Sequence, residues 1–215
     1  MSKFTRFIFI IAFLPLWVNG CVPGAIIFAQ KGIKSAFEDR SLNQQLEDAK
    51  IHANLLQEYL RVDSGLPVDV NTDVWEGRVL LTGLVDSEKK REAVLSILRG
   101  DSRIKAVYDN ILLGSPAEVK RNREVAKTQP AVERDIVKVS RIASDAWIEA
   151  KLKGQLLATQ GVNSVNYRWQ SVRNKVYIIG RARTEFEKTL VLQIIRGTKG
   201  VIHLEEYIQV KSIQK

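Results

Sequence analysis

Residues 48–60 read DAKIHANLLQEYL, and residues 145–157 read DAWIEAKLKGQLL. A shift of 97 residues lays one on the other without a gap, and the register continues downstream. Val79 meets Val176, Gly83 meets Gly180, Val94-Leu95 meets Val191-Leu192, Arg99-Gly100 meets Arg196-Gly197, and Ile111 meets Ile208. About a quarter of positions 48–113 are identical to their partners in 145–210. Chance similarity rarely holds one register for so long, so the chain carries one structural unit twice.

Both copies follow the same grammar. Ile51, Leu55 and Tyr59 recur at helical spacing over 48–62, as do Ile148, Leu152 and Leu156 in the second copy. Residues 66–74 alternate, which predicts a strand with Val68 and Val70 on one face; Val165 and Tyr167 match them. Glu76-Gly77 and Arg173-Asn174 read as two-residue hairpin turns, each followed by a β-rich run, 78–85 and 175–182. Ser87 and Thr184 are candidate N-caps for second helices that stop at Gly100 and Gly197. Final strands are predicted over 104–113 and 201–210. The order is α-β-β-α-β, and the second helix should return the last strand parallel to its predecessor. The predicted fold class is therefore α/β: two tandem modules, each a three-stranded mixed sheet covered on one face by two helices. Each module is near the lower size limit for independent stability.

The N-terminus addresses the chain. Lys3 and Arg6 precede an apolar run over 7–18 that is too short to span a bilayer comfortably and contains Pro15. It ends at Val18-Asn19-Gly20-Cys21, which resembles the bacterial lipobox; Asn19 departs from the usual small residue at its position. Cys21 is the only cysteine. A secreted chain cannot form an internal disulfide with one thiol, and acylation of Cys21 accounts for it. The alternative is a plain signal peptide with an incidental thiol. Val22 after the cysteine, where enteric bacteria use Asp to retain a lipoprotein in the inner membrane, favours the periplasmic face of the outer membrane. The reading divides the chain into a signal (1–20), an acylated tether (21–47), a first module (48–113), a charged linker (114–144) and a second module (145–211). Without the signal the charge is +7, from 31 basic and 24 acidic residues. Such a balance suits an anionic membrane surface, and export argues against nucleic acid as a partner.

The element order, the glycines ending the second strand (Gly83, Gly180) and the second helix (Gly100, Gly197), and the apolar final strand together resemble the BON domain. Glu38-Asp39-Arg40-Ser41 before the first copy and Asp145-Ala146-Trp147-Ile148 opening the second resemble the dual-BON outer-membrane lipoproteins of the DolP type. The resemblance runs from about residue 38 to the end. It implies anionic phospholipid binding and a role in envelope integrity, and it does not imply an enzyme.

The residues offer no chemistry of their own. His52 and His203 sit in different copies, neither with a second ligand at zinc spacing, and no G-x-S-x-G or phosphate-cradling glycine loop is present, so no catalytic residue, metal or cofactor is expected. His52 matches Glu149, a position read as surface. Asp48 and Asp145 are read as N-caps or helix-dipole partners, and Gly83 and Gly180 as close backbone approaches.

Comparing the copies isolates a candidate site. Positions apolar in both copies are read as core, and Leu60/Leu157 is one such pair. In the first helix one face reads Lys50, Asn54, Gln57, Arg61 in copy one but Trp147, Lys151, Gly154, Ala158 in copy two. An outward tryptophan beside lysine, with small residues along the stripe, is the composition of a membrane-interface contact. Trp147, Lys151, Lys153, Gly154 and Ala158 are therefore the expected phospholipid-binding residues; the alternative packs Trp147 on the linker or on the first copy. The linker's seven cations against four acids read as a solvated stretch, or else as a basic tether. The expected partner is an anionic phospholipid membrane. The competing function is a protein–protein adaptor or chaperone-like factor for outer-membrane assembly.

Overall fold

The computed structural model describes residues 38–128 and 141–211. The signal segment, Cys21 and residues 21–37 of the expected tether lie outside the described residues.

The first module contains α1 (Leu42–Val62), a single-turn helix α2 (Leu66–Asp69), β1 (Val70–Trp75), β2 (Arg78–Val85), α3 (Glu88–Arg99) and β3 (Ala106–Leu113). Helix α4 (Pro116–Thr128) follows. The second contains α5 (Arg141–Ala158), a 3-10 turn at Ser164–Asn166, β4 (Tyr167–Val172), β5 (Lys175–Ala182), α6 (Glu185–Gly197) and β6 (His203–Val210). Sheet orders are β1-β2-β3 and β4-β5-β6, the first pair of each antiparallel and the second parallel. This is the α-β-β-α-β order twice over, with mixed three-stranded sheets.

Local chemistry explains the departures. Helix α1 starts six residues before the repeat because Ser41 and Gln44 form a capping box. Residues 66–69 are helical rather than extended, with Pro67 in the first turn where it costs no hydrogen bond. Val68 is consequently exposed while Val70 is buried, so the two do not share a face. In the second module the 3-10 turn replaces the expected strand start, and the extended run begins at Tyr167. Thr184 caps α6 by accepting from Glu187 N at 3.0 Å, whereas the Ser87 hydroxyl turns to Asp86. Gly100 ends α3 in right-handed conformation through its bond to Ile97 O, not as a left-handed cap.

Both hairpins turn through left-handed pairs, Glu76-Gly77 (φ 53°, 77°) and Arg173-Asn174 (φ 53°, 63°), as the two-residue reading requires. Asp48 and Asp145 are not N-caps. Each lies inside its helix and reaches the turn: Asp48 accepts from Glu76 N and Gly77 N at 2.7 and 2.8 Å, and Asp145 from Arg173 N and Asn174 N at 2.8 and 2.7 Å. That role explains the recurrence of Asp at this register. Gly83 and Gly180 are close approaches: a β-carbon there would fall 2.1 Å from Asp69 O and 2.2 Å from Asn166 O.

Each module buries a helix–sheet core, Ile51, Leu55, Tyr59, Val94 and Leu98 against β1–β3, and Ile148, Leu152, Leu156, Val191 and Ile195 against β4–β6. A third cluster, Trp75, Leu80, Tyr177 and Ile179, joins the open faces of the two sheets. The modules thus pack sheet to sheet with their helices outward. Tyr108 and Tyr207 stack across this seam at 4.0 Å, and Asn110 donates to the Tyr207 hydroxyl at 2.9 Å. Covering both faces of β2 and β5 accounts for their apolar runs Val79-Leu80-Leu81 and Val176-Tyr177-Ile178-Ile179.

The segment 114–144 is not simply a solvated linker. Helix α4 packs on the first module through buried Val119, and Arg123 clasps the Asp69 carboxylate with two bonds. Glu118 reaches across to Arg173 of the second module at 2.8 Å. Residues 129–140 lie outside the described residues.

Candidate functional site

The site is built on α5. Ile148, Leu152 and Leu156 seat the helix on its sheet with no exposure, which fixes the direction of its other faces. One flank carries Trp147, Lys151, Gly154 and Ala158; the opposite flank carries Glu149, Lys153 and Leu157. The structure therefore brings four of the five expected contact residues onto one stripe and places Lys153 on another.

Trp147 does not stand clear of the surface as the sequence suggested. Its ring is half-buried against the margin of the second module's own core. The rest of the stripe is open: Lys151, Gly154 and Ala158 are exposed, and a β-carbon on Gly154 would meet nothing within 4 Å. Lys151 Nζ sits 4.8 Å from the centre of the Trp147 ring. The aromatic face and the cation form one unit, with an apolar body and a charged edge.

On the other flank, Glu149 is not a surface position. Its carboxylate accepts from Ser171 N at 2.8 Å, and burial pushes its pKa up to about 7, with Asp145 and Asp73 adding to the rise. His52 plays the matching part in the first module, its Nδ1 2.9 Å from Thr72 O. Both residues satisfy the backbone of an edge strand.

Lys153 and Leu157 line a groove of about 700 Å³ whose far wall is the start of α1. Leu42 and Leu46 of the first module face it, and Trp169 and Arg168 of β4 form its floor. Leu42, Leu46 and Leu157 are 67, 59 and 62% exposed, so Leu157 is not core although its repeat partner is also leucine. Sequence reasoning missed this groove. Leu42 and Leu46 precede the repeat, and the signal for Leu157 was its place on the helical wheel, roughly 180° from Ile148.

A short strap, residues 38–40, crosses between the modules beside the groove. Asp39 accepts two bonds from Arg183 at 2.7 Å and one from Asn166 at 2.8 Å; burial pushes its carboxyl up, but these partners win and hold it below the usual range. Glu38 bridges Arg40 of its own module and Arg168 of the second. Arg40 lies over Trp75 at 3.8 Å and also pairs with Asp48. Among the described residues no cluster of His, Cys, Asp or Glu is arranged to hold a metal, and no helix is long and apolar enough to cross a membrane.

The family model of the BON domain matches residues 47–115 and again residues 144–212. The chain belongs to the BON-domain family. Its two BON domains are thus the two modules, and α5 is the first repeat helix of the second domain. A protein of Anaplasma centrale described as an uncharacterised protein in the gshII 5′ region is 31% identical over 166 residues, covering 77% of this chain and 96% of that one. The outer membrane lipoprotein DolP of Haemophilus influenzae is 20% identical over 198 residues, covering 90% and 91%. Among solved structures, CdsD, a structural protein of the type III secretion system of Chlamydia trachomatis, overlays 74% of this chain and 93% of its own at 12% identity, with a TM-score of 0.29. That overlay is too poor to bear on the function of the BON pair.

Proposed function

We propose that this protein is a lipid-anchored lipoprotein of the outer membrane, facing the periplasm, whose second BON domain docks on anionic phospholipid and thereby supports envelope integrity. The observation that carries the reading is the Trp147–Lys151 unit on the exposed stripe of α5. An indole settles at headgroup depth and a lysine contributes about 1 kcal/mol near an anionic leaflet. Open Gly154 and Ala158 let the helix approach the lipid surface closely. The first BON domain has Lys50, Asn54, Gln57 and Arg61 on this face, which gives the two domains different surfaces on one fold.

The lipobox-like run at Cys21 and the similarity to an outer membrane lipoprotein support the anchor and the location. With the acyl chains holding the protein at the membrane, a weak second contact is strengthened by effective concentration. No residue is assigned a catalytic role.

Flotation of the mature-length chain carrying Cys21→Ser tests the reading. It should float with phosphatidylglycerol-containing vesicles, not with phosphatidylcholine alone, and binding should weaken as salt screens the lysines. Equal binding to both vesicles, or none to either, would contradict a lipid-docking role and favour the adaptor reading.

A further inference from the structure

We infer that the first BON domain takes part in membrane docking, through the groove in which Leu42 and Leu46 of α1 face Lys153 and Leu157 of α5, and that its occupant is the anionic phospholipid surface. The inference rests on the lipid-docking role of the second domain and adds a surface that the second domain cannot make alone.

Three observations carry it. The first is composition. Three leucines 59–67% exposed converge on one groove of about 700 Å³, large enough for a lipid headgroup and the upper part of a chain. Apolar side chains gathered at one surface mark a contact, whereas scattered ones do not.

The second is charge. The groove is lined by Glu38, Arg40, Lys153 and Arg168, and Asp48 also holds Arg40, so the three cations exceed the two acids by one. Glu38 is engaged by Arg40 and Arg168, while Lys153 is exposed and has no ion pair among the described residues. A leucine rim with an ammonium that no carboxylate holds suits phosphate above acyl chain.

The third is where the chain leaves. Glu38, itself a wall of the groove, lies 17 residues after Cys21 (38 − 21). Seventeen residues reach at most about 60 Å, at roughly 3.6 Å per residue, so an acyl anchor at Cys21 would hold the groove within that distance of the bilayer. The strap's ion pairs to Arg168, Arg183 and Asp48 fix that exit to both domains at once. The groove therefore exists only while the domains are docked, and docking sets which face of the pair meets the lipid.

The test uses the mature-length chain carrying Cys21→Ser, which keeps every described residue. Leu46→Asp and Leu157→Asp, on exposed positions of different domains, should leave the thermal midpoint unchanged. Each should weaken binding to vesicles of phosphatidylglycerol and phosphatidylcholine about tenfold, the scale of losing one buried leucine contact. If Leu157→Asp weakens binding and Leu46→Asp does not, the first domain takes no part and the inference is overturned while the second domain's role stands. If neither matters but Lys151→Glu does, the lipid contact is the Trp147 stripe alone and the inference again fails. If the unsubstituted chain binds no vesicles, both readings fall. If Leu46→Asp turns a dimer into a monomer in sedimentation and leaves vesicle binding intact, the groove is filled by a second copy and the inference is wrong.

Discussion

Arg78 of the first domain donates from Nη2 to the carbonyl oxygen of Gly180 in the second at 3.1 Å, and from Nη1 to that of Tyr207 at 2.9 Å. It is a buried cation between two sheets, and Glu76 beside it gathers Arg181 and Lys211 from the second domain. Burial alone would raise the Glu76 carboxyl, yet Lys211, Arg181 and Arg78 together hold it below its ordinary value. The tandem units are thus one body whose seam is polar at its edge and aromatic at its centre.

Arg78→Met keeps the aliphatic stem and strands two carbonyl groups. Loss of the two bonds should cost about 1–3 kcal/mol and fall on the seam more than on either core. Amide hydrogen exchange along β2 and β5 should accelerate, and the thermal transition should broaden or split. An unchanged single transition with unchanged exchange would mean the guanidinium is dispensable.

Asp145→Ala removes the acceptor for the backbone of Arg173 and Asn174 and for the Ser171 hydroxyl. Urea unfolding should show a loss of roughly 2–3 kcal/mol. Asp48→Ala should cost at least as much, because it also leaves the buried Arg40 guanidinium with Glu38 as its one remaining ion-pair partner among the described residues. Were these residues helix caps, the cost would be about 1 kcal/mol and the turns would stay protected from exchange.

Glu149 gives a pH dependence of definite sign. Its folded pKa, pushed up to about 7 by burial, lies above the ordinary glutamate value of 4.5, so the folded state holds the proton more tightly. Between those values the folded protein binds more protons than the unfolded one, and stability falls as pH rises. The stabilising effect is complete below about pH 4.5 and gone above about pH 7. Several other carboxyls, Asp39 and Glu76 among them, are lowered and act with the opposite sign, so the comparison must be with Glu149→Gln. The variant should gain stability on wild type from pH 5 to pH 8, by no more than about 3 kcal/mol. A constant difference over that range would show that Glu149 titrates normally.

Much of this was legible in the chain. The 97-residue register exposed the two domains, and period-2 and period-3.6 patterns gave the strands and helices. Gly83 and Gly180 announced a close approach that Asp69 O and Asn166 O now explain. Three things were hidden for physical reasons. Asp48 and Asp145 look like caps because an acid near a helix start is a cap in isolation; their partners lie 28 and 29 residues away in a turn. Leu157 repeats Leu60, but both are exposed, so recurrence alone did not mean burial. The seam is a relation between domains, and its trace was the doubly apolar β2 and β5 runs. The stripe on α5 was visible as a difference between copies, while the groove needed Leu42 and Leu46, which lie before the repeat.

Cys21→Ala tests the anchor independently of the folded domains. Metabolic labelling with a fatty acid should mark the wild type and not the variant, which should be released from membranes or remain as uncleaved precursor. An unlabelled wild type would remove the lipoprotein reading.

The central claim is that the second BON domain meets anionic phospholipid through the Trp147–Lys151 stripe. Because Trp147 is half-buried, its replacement mixes folding with binding; exposed Lys151 separates them. The direct measurement is flotation of the mature-length chain with Cys21→Ser on phosphatidylglycerol vesicles, comparing Lys151→Glu with Lys89→Glu, the same charge change on an exposed position of α3 in the first domain. Lys151→Glu should cut binding about tenfold or more, since it replaces attraction by repulsion at the contact, each charge being worth about 1 kcal/mol. Lys89→Glu should change it far less. Equal losses from the two variants would mean that net charge alone attracts the protein to lipid, and the assignment of the site to α5 would be wrong.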